Sequence, residues 1–264
     1  MSTLQVIIPV FNGEQFLAET IESVLKQQQQ DMELVILDNA SVDGTRSIAE
    51  GYRSLGIRYI RNPNNIGGIA NHNLALQIAT ANYVKLLSAD DILLPGVLAR
   101  QREALDRYPD VGLVTCNCVV TDDVLRPLRE TNYLPGYLKG SDAIAAAANK
   151  VANIIGAPSN VMVRRRCIGS ATYDKSLKWL ADLDFACQVL SRSDFFNIDM
   201  PGFLYRRHEA SDTVLSCPPR VRLHDELAFT RKYGGGLAAR ARIFYRFARR
   251  GELKPLLLAQ ISGN

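Results

Sequence analysis

The chain reads as an α/β fold, a mostly parallel sheet flanked by helices, with a C-terminal helical extension. Three observations predict this. Continuous apolar runs of strand type alternate with helical patterns through residues 4–120, and the loops between them are short. Polar clusters follow the first, second and fourth of those runs, the strand ends where open α/β sheets hold ligands. The 264 residues, 47% hydrophobic and 22% charged, suffice for one large domain with an appendage. We place a domain over residues 1–215, with halves 1–120 and 121–215, and an extension over 216–264.

The elements follow in order. Leu4 to Pro9 (LQVIIP) is a run of buried-strand type, and Val10 to Gly13 is a loop. Glu14 to Gln27 reads as a helix because Leu17, Ile21, Val24 and Leu25 fall at helical spacing. Glu33 to Leu37 is a second strand, and the polar Asp38 to Thr45 leads into a helix from about Arg46. Ile57 to Ile60 is a third strand, Arg61 to Asn65 with Gly67-Gly68 a turn-rich loop, and Ile69 to Ala79 a helix. A fourth strand begins at Tyr83 and stops at Ser88-Ala89-Asp90-Asp91. Pro95 to Tyr108 is helical and Val111 to Val120 extended, while Asp122 to Leu138 is irregular, a flap or crossover. Ser141 to Lys150 is an alanine-rich helix with Ser141 as N-cap. Asn160 to Val163 reads as a strand, Asp182 to Leu190 as a helix, and Phe195 to Tyr205 as extended, ending in Arg206-Arg207-His208.

The end of the fourth strand carries the chemistry. Adjacent carboxylates there repel each other and lose solvation, so they call for a cation between them. Hard oxygen ligands suit Mg2+ or Mn2+, the former with one or two carboxylates plus substrate phosphates. Asp90 or Asp91 as a cap for the helix near Pro95 is the competing reading.

Several classes are excluded or disfavoured. No apolar run approaches the ~20 residues of a membrane span. The first residues, Met1 to Gln5, lack the basic and apolar regions of a secretory signal, so a cytoplasmic location is expected. Five cysteines in no zinc-like spacing read as reduced thiols. No Gly-x-Gly-x-x-Gly follows the first strand, which disfavours a dinucleotide oxidoreductase. No nucleic-acid recognition motif occurs.

Taken together, the motifs resemble the family 2 glycosyltransferases of the GT-A fold. Val6-Ile7-Ile8-Pro9-Val10-Phe11-Asn12 is similar to that family's first strand and loop, and Asp38-Asn39-Ala40-Ser41-Val42-Asp43-Gly44-Thr45 to its second-strand signature. Asn65-Ile66-Gly67-Gly68, Ser88-Ala89-Asp90-Asp91, Ala181-Asp182-Leu183-Asp184 and Tyr205-Arg206-Arg207-His208 follow in the family's order. The resemblance spans about Leu4 to His208. It implies a Rossmann-like nucleotide-diphospho-sugar transferase, with the donor in the half 1–120 and the acceptor in the half 121–215.

The resemblance also implies residue roles. Pro9, Phe11, Asn12, Glu14, Asp38, Asp43, Asn65, Gly67 and Asp90 would surround the donor nucleotide. Asp91 would bind the Mg2+ or Mn2+ bridging the diphosphate, with Asp90 beside it and His208 as a further metal ligand. Arg206 and Arg207 would neutralise the leaving diphosphate. Asp182 would be the acceptor-activating base of an inverting transfer, with Asp184 in reserve. The sequence departs from the family pattern at Ser88 and Ala181, where many relatives carry acids. The implied function is transfer of a sugar, from a UDP-sugar, to a saccharide or lipid-linked acceptor in surface polysaccharide or glycoconjugate synthesis. A nucleotidyltransferase and a non-catalytic sugar-nucleotide-binding relative are the alternatives.

The net charge of +4 is unevenly spread. From Arg220 to Asn264 ten basic residues oppose three acidic ones, a local +7, and the remaining chain carries −3. Within Leu237 to Arg250, Arg242, Arg246, Arg249 and Arg250 cluster on one side at 100° per residue, with Ala241, Phe244, Tyr245, Phe247 and Ala248 on the other. Such a helix suits peripheral contact with the inner face of the cell membrane, or packing on the domain with its arginines in water. The sequence leaves oligomeric state open.

Overall fold

The computed structural model describes residues 3–209 and 217–252. The chain opens with β1 (Leu4–Val10), α1 (Leu17–Leu25), β2 (Met32–Asp38), α2 (Thr45–Gly51), β3 (Arg58–Arg61), α3 (Gly68–Ile78) and β4 (Tyr83–Leu86). Then come β5 (Ile92–Leu93), α4 (Val97–Arg107), β6 (Val111–Thr121), β7 (Pro127–Thr131), β8 (Gly136–Leu138) and α5 (Gly140–Lys150). After β9 (Met162–Arg164), α6 (Arg165–Ile168), α7 (Ala181–Leu190) and β10 (Asp194–Arg206), the extension forms α8 (Pro219–Lys232) and α9 (Leu237–Arg249).

The strands join one sheet in the order β3-β2-β1-β4-β9-β6-β10-β5, with β7 on β6 and β8 on β10. The long ladders are parallel, and every residue of β1 is buried, as expected for a strand covered on both faces. Side chains alternate between two apolar layers. Ile7, Val35 and Leu37 pack with α5 and α7 residues such as Ala147 and Leu183, whereas Val6, Ile8 and Ile36 pack with Leu17, Ile21 and Leu98. Antiparallel β9 sits between β4 and β6, joining the two parallel halves.

The register brings the carboxyl ends of β1, β2 and β4 to one edge. Val10 pairs with Asp38, while the β1–β4 ladder ends at Ile7 and Leu86. Pro9 lies two residues past Ile7, whose carbonyl accepts from Leu87 N at 3.0 Å, so its missing N–H falls where that ladder has ended. Pro9, expected beside the nucleotide, is buried in β1.

Three local expectations are also corrected. Asp122 to Leu138 contains β7 and β8; four of the five β7 residues are exposed, so no apolar alternation announces the strand. Lys139, not Ser141, is the N-cap of α5, and Asp194 Oδ1 accepts from Gly140 N at 3.1 Å. In α9 the inward side chains are Ala239, Ile243 and Phe247, so Phe247 parts from Phe244 and Tyr245, and Arg242 and Arg246 turn toward the domain. No helix among the described residues is long and apolar enough to cross a membrane.

Candidate active site

The loops after β1 and β2 are laced together. Asn12 N donates to Ser41 Oγ (2.9 Å), Gly13 N to Thr45 Oγ1 (2.8 Å) and Glu14 N to Asp43 Oδ2 (3.0 Å). In return Val42 N donates to Asn12 Oδ1 (3.0 Å) and Gly44 N to Glu14 Oε2 (2.7 Å). Asn12, Glu14 and Asp43 thus shape one rim. Burial opposes ionisation of Asp43, but hydrogen bonds from the Thr45 hydroxyl and from Glu14 and Thr45 N–H hold its carboxyl below the usual range. Phe11 stands on the same rim, 48% exposed.

Asp38 lies under the rim, not on it. It is fully buried, accepting from Ser41 N (2.8 Å), Ser41 Oγ (2.6 Å) and Tyr59 Oη (2.6 Å), with the Arg61 guanidinium at 3.3 Å. Expected to meet the base, Asp38 here braces the loop. An asparagine lattice holds the neighbouring loop: Asn39 donates to Asn65 Oδ1 at 2.8 Å, and Asn62 donates to Asn39 and Asn71, each at 3.0 Å. Gly67 N donates to Asn65 Oδ1 at 2.8 Å with φ +87° and ψ 153°, a conformation reserved for glycine.

Beyond β4 the two acids part. Asp90 Oδ2 meets His208 Nε2 at 3.0 Å, both side chains partly open to solvent. Asp91 is 1% exposed; its Oδ2 accepts from Ser159 Oγ at 2.5 Å and its Oδ1 from Arg206 N at 3.1 Å. Burial, with the adjacent Asp90 charge, pushes the Asp91 carboxyl well above the usual range. Asp91, expected to grip a metal, thus has both oxygens engaged by the protein, and the more open carboxylate is Asp90. Lys85 on β4 is fully buried, donating to Gln101 Oε1 at 3.1 Å, and burial pulls its ammonium down to about 8.

Arg206, expected at the leaving diphosphate, is engaged in the same way. It is 3% exposed and donates to Asp90 O (2.9 Å), to Asp123 O (2.6 Å) and to the Glu19 carboxylate. Its guanidinium lies 4.3 Å from the centre of the Phe16 ring, which packs on His208 at 4.8 Å between centroids. Engaged on every side, Arg206 positions the Asp90–His208 pair. Arg207 is exposed, its N–H bound to Thr121 O at 3.0 Å.

Asp182 sits in the first turn of α7 with part of its surface open. Asn153 donates to its Oδ2 at 3.3 Å, and burial pushes its carboxyl up to about 6, the range of a useful general base. Asp184, the reserve, is fully buried, accepting from Gln188 (2.7 Å), Lys232 (2.6 Å) and Tyr233 Oη (2.9 Å). Expected as the reserve base, it here anchors α8 to α7. Residues 153–160 form a strut between the acids: Asn153 holds Asp182, while Ser159 holds Asp91 and accepts from Ser88 N at 3.1 Å.

Sequence reasoning missed Phe16, Glu19, Asn153 and Ser159. Ser159 is 68 positions from Asp91 and Glu19 187 from Arg206, so no local spacing relates them.

The model of the family described as "Glycosyl transferase family 2" matches residues 5–195. The GalNAc(5)-diNAcBac-PP-undecaprenol beta-1,3-glucosyltransferase of Campylobacter jejuni is 34% identical over 102 residues, 38% of this chain and 33% of that protein. Two further relatives, from Mycobacterium tuberculosis and Bacillus subtilis, are matched over 62% and 44% of their length, so the chain spans less than two thirds of each. In fold it is similar to S. aureus TarS 1-349, solved with UDP-GlcNAc, at a TM-score of 0.70 and 17% identity over 92% of this chain and 70% of that one. It is also similar to the mannosyltransferase PcManGT of Pyrobaculum calidifontis, solved with GDP-Man and Mn2+, at 0.58 and 17% over 99% and 79%.

Proposed function

The chain belongs to glycosyl transferase family 2, and on that premise we propose that it moves a sugar from a UDP-type nucleotide donor to a hydroxyl of a saccharide or lipid-linked saccharide. The setting is synthesis of a surface polysaccharide or glycoconjugate. The observation that carries this reading is the Asp90–His208 pair, 3.0 Å apart beyond β4. The bound UDP-GlcNAc of a fold neighbour supports the donor class, and the undecaprenol-linked name of a relative the acceptor class.

Asp90 and His208 fit a divalent cation, Mg2+ or Mn2+, the latter held by a fold neighbour. Among the described residues no three His, Cys, Asp or Glu side chains converge, so donor oxygens and water would complete the shell. Such a cation, when bound, offsets the negative charge of the diphosphate. Phe11 offers its exposed ring to the base, on a rim shaped by Asn12, Glu14 and Asp43, and Asn65 and Gly67 close the other side. Arg207 meets the charge on the departing diphosphate.

Asp182 takes the proton of the acceptor hydroxyl as its oxygen attacks the anomeric carbon. The bond from that carbon to the diphosphate breaks, and the nucleoside diphosphate leaves with the electron pair. One carboxylate facing one displacement gives inversion. The test is Asp182→Asn: transfer of radiolabelled sugar is expected to fall about 10²–10⁴-fold, while UDP-sugar still raises the thermal midpoint. Transfer at the native rate would remove Asp182 from the mechanism, and a native chain indifferent to every nucleotide sugar would remove the reading itself.

A further inference from the structure

Helix α9 has two apolar faces, and one is already used. Ala239, Ile243 and Phe247 recur every fourth residue and pack with Val151, Leu223 and Leu227. Arg242 and Arg246 fasten that face, each donating at 3.0 Å to a carbonyl at the end of α5, Asn149 and Val151 respectively, and Arg246 also pairs with Glu226 at 2.8 Å.

On the outward side Leu237, Phe244 and Tyr245 are 84%, 43% and 63% exposed, with Ala241 and Ala248 exposed between them. At helical spacing these five share an arc of about 100°, bordered by exposed Arg240 on one flank and exposed Arg249 on the other. Single exposed apolar residues are ordinary on a protein surface. A continuous ridge of them, edged by guanidinium groups, is the pattern of a helix lying in a membrane interface.

Charge decides the occupant. Residues 237–249 contain four arginines and no acid, within a segment that carries +7 from Arg220 to Asn264. A second copy of this helix would set arginine against arginine, with no carboxylate on α9 to answer. An anionic lipid surface answers each flank with phosphate.

We propose that the outward ridge of α9 is a docking surface for anionic lipid. Leu237, Phe244 and Tyr245 enter the boundary between headgroups and acyl chains, and Arg240 and Arg249 meet the lipid phosphates. This surface is independent of the donor site and stands or falls without it.

The test uses the full 264-residue chain in co-sedimentation with vesicles of phosphatidylcholine alone and of phosphatidylcholine mixed with phosphatidylglycerol. The native chain is expected to sediment with the mixed vesicles only, and less as salt is raised. The double substitution Phe244→Ser with Tyr245→Ser should lower the bound fraction at least tenfold, with the circular dichroism spectrum and thermal midpoint of the native chain. Arg240→Gln with Arg249→Gln should abolish the preference for the mixed vesicles. A native chain that sediments with neither vesicle overturns the proposal, as does a serine variant that binds like the native chain. Light scattering that finds a native dimer, dissolved by the serine substitutions, assigns the ridge to self-association and also overturns it.

Discussion

Asp182 owes its chemistry to its surroundings. A carboxyl in water ionises near pH 4, but here burial raises it to about 6 and the Asn153 amide favours the ionised form. The base must be ionised to accept a proton, so kcat/KM should fall as pH drops through about 6, with unit slope. Removing the amide by Asn153→Ala should move that limb to higher pH, and a limb that stays in place would show that a different group titrates. Stability runs the opposite way: a carboxyl whose folded value lies above its unfolded one contributes stability at low pH and loses it as pH rises through about 6. Arg206 is the other decisive residue. Replacing it with Met leaves the carbonyls of Asp90 and Asp123 without their donor and Glu19 without its partner. Each buried polar group left unsatisfied costs about 1–3 kcal/mol. Glu19 is 57% exposed, so we expect about 3 kcal/mol by urea unfolding, together with weaker Mn2+ and donor binding. A variant as stable as the native chain would contradict the hub.

At the scale of elements, the site is assembled by two short segments and not by the long strands alone. The loops after β1 and β2 are joined by five mutual hydrogen bonds, so they move as one rim. The strut 153–160 ties the β4 turn to the head of α7, and Ser159 is its fixed point. Ser159→Ala removes the hydroxyl from Asp91 and from Ser88 N together. An unsatisfied buried group costs about 1–3 kcal/mol, and urea unfolding should register a loss in that range, with a raised KM for donor because Asp90 is the chain neighbour of Asp91 and shifts with it. Unchanged stability and kinetics would mean that the strut carries no load.

At the scale of the whole molecule, donor and metal should act on global stability through mass action. A ligand present at 100 times its Kd stabilises the folded state by about 2.7 kcal/mol. UDP-sugar with Mn2+ should therefore raise the thermal midpoint, and EDTA should reverse most of that gain while leaving the ligand-free midpoint unchanged. An EDTA effect on the ligand-free protein would reveal a structural metal in its place. The alternation of apolar runs and helical patterns through Val120 was sufficient to locate β1, β2, β3 and β4 to within two residues at each end; β1 and most of β2 are buried on both faces and so read as near-continuous apolar runs, while the edge strand β3 is marked by the turn residues that follow it. The motif residues were legible for a related reason: they occupy the strand ends, where the apolar pattern breaks off. What the amino-acid order determined by itself was this layered α/β plan, its ligand edge and the chemical types gathered there. Which acid faces out was decided only by folding. Asp90 and Asp91 are neighbours in sequence with the same side chain, and their opposite fates were set by Ser159 and the backbone of Arg206, brought from 68 and 115 positions away. The same holds for α9, whose spacing describes an amphipathic helix but whose inward face was chosen by Val151, Leu223 and Leu227. A local pattern fixes what a segment is able to bury; only the partners that arrive from elsewhere in the chain settle what it does bury.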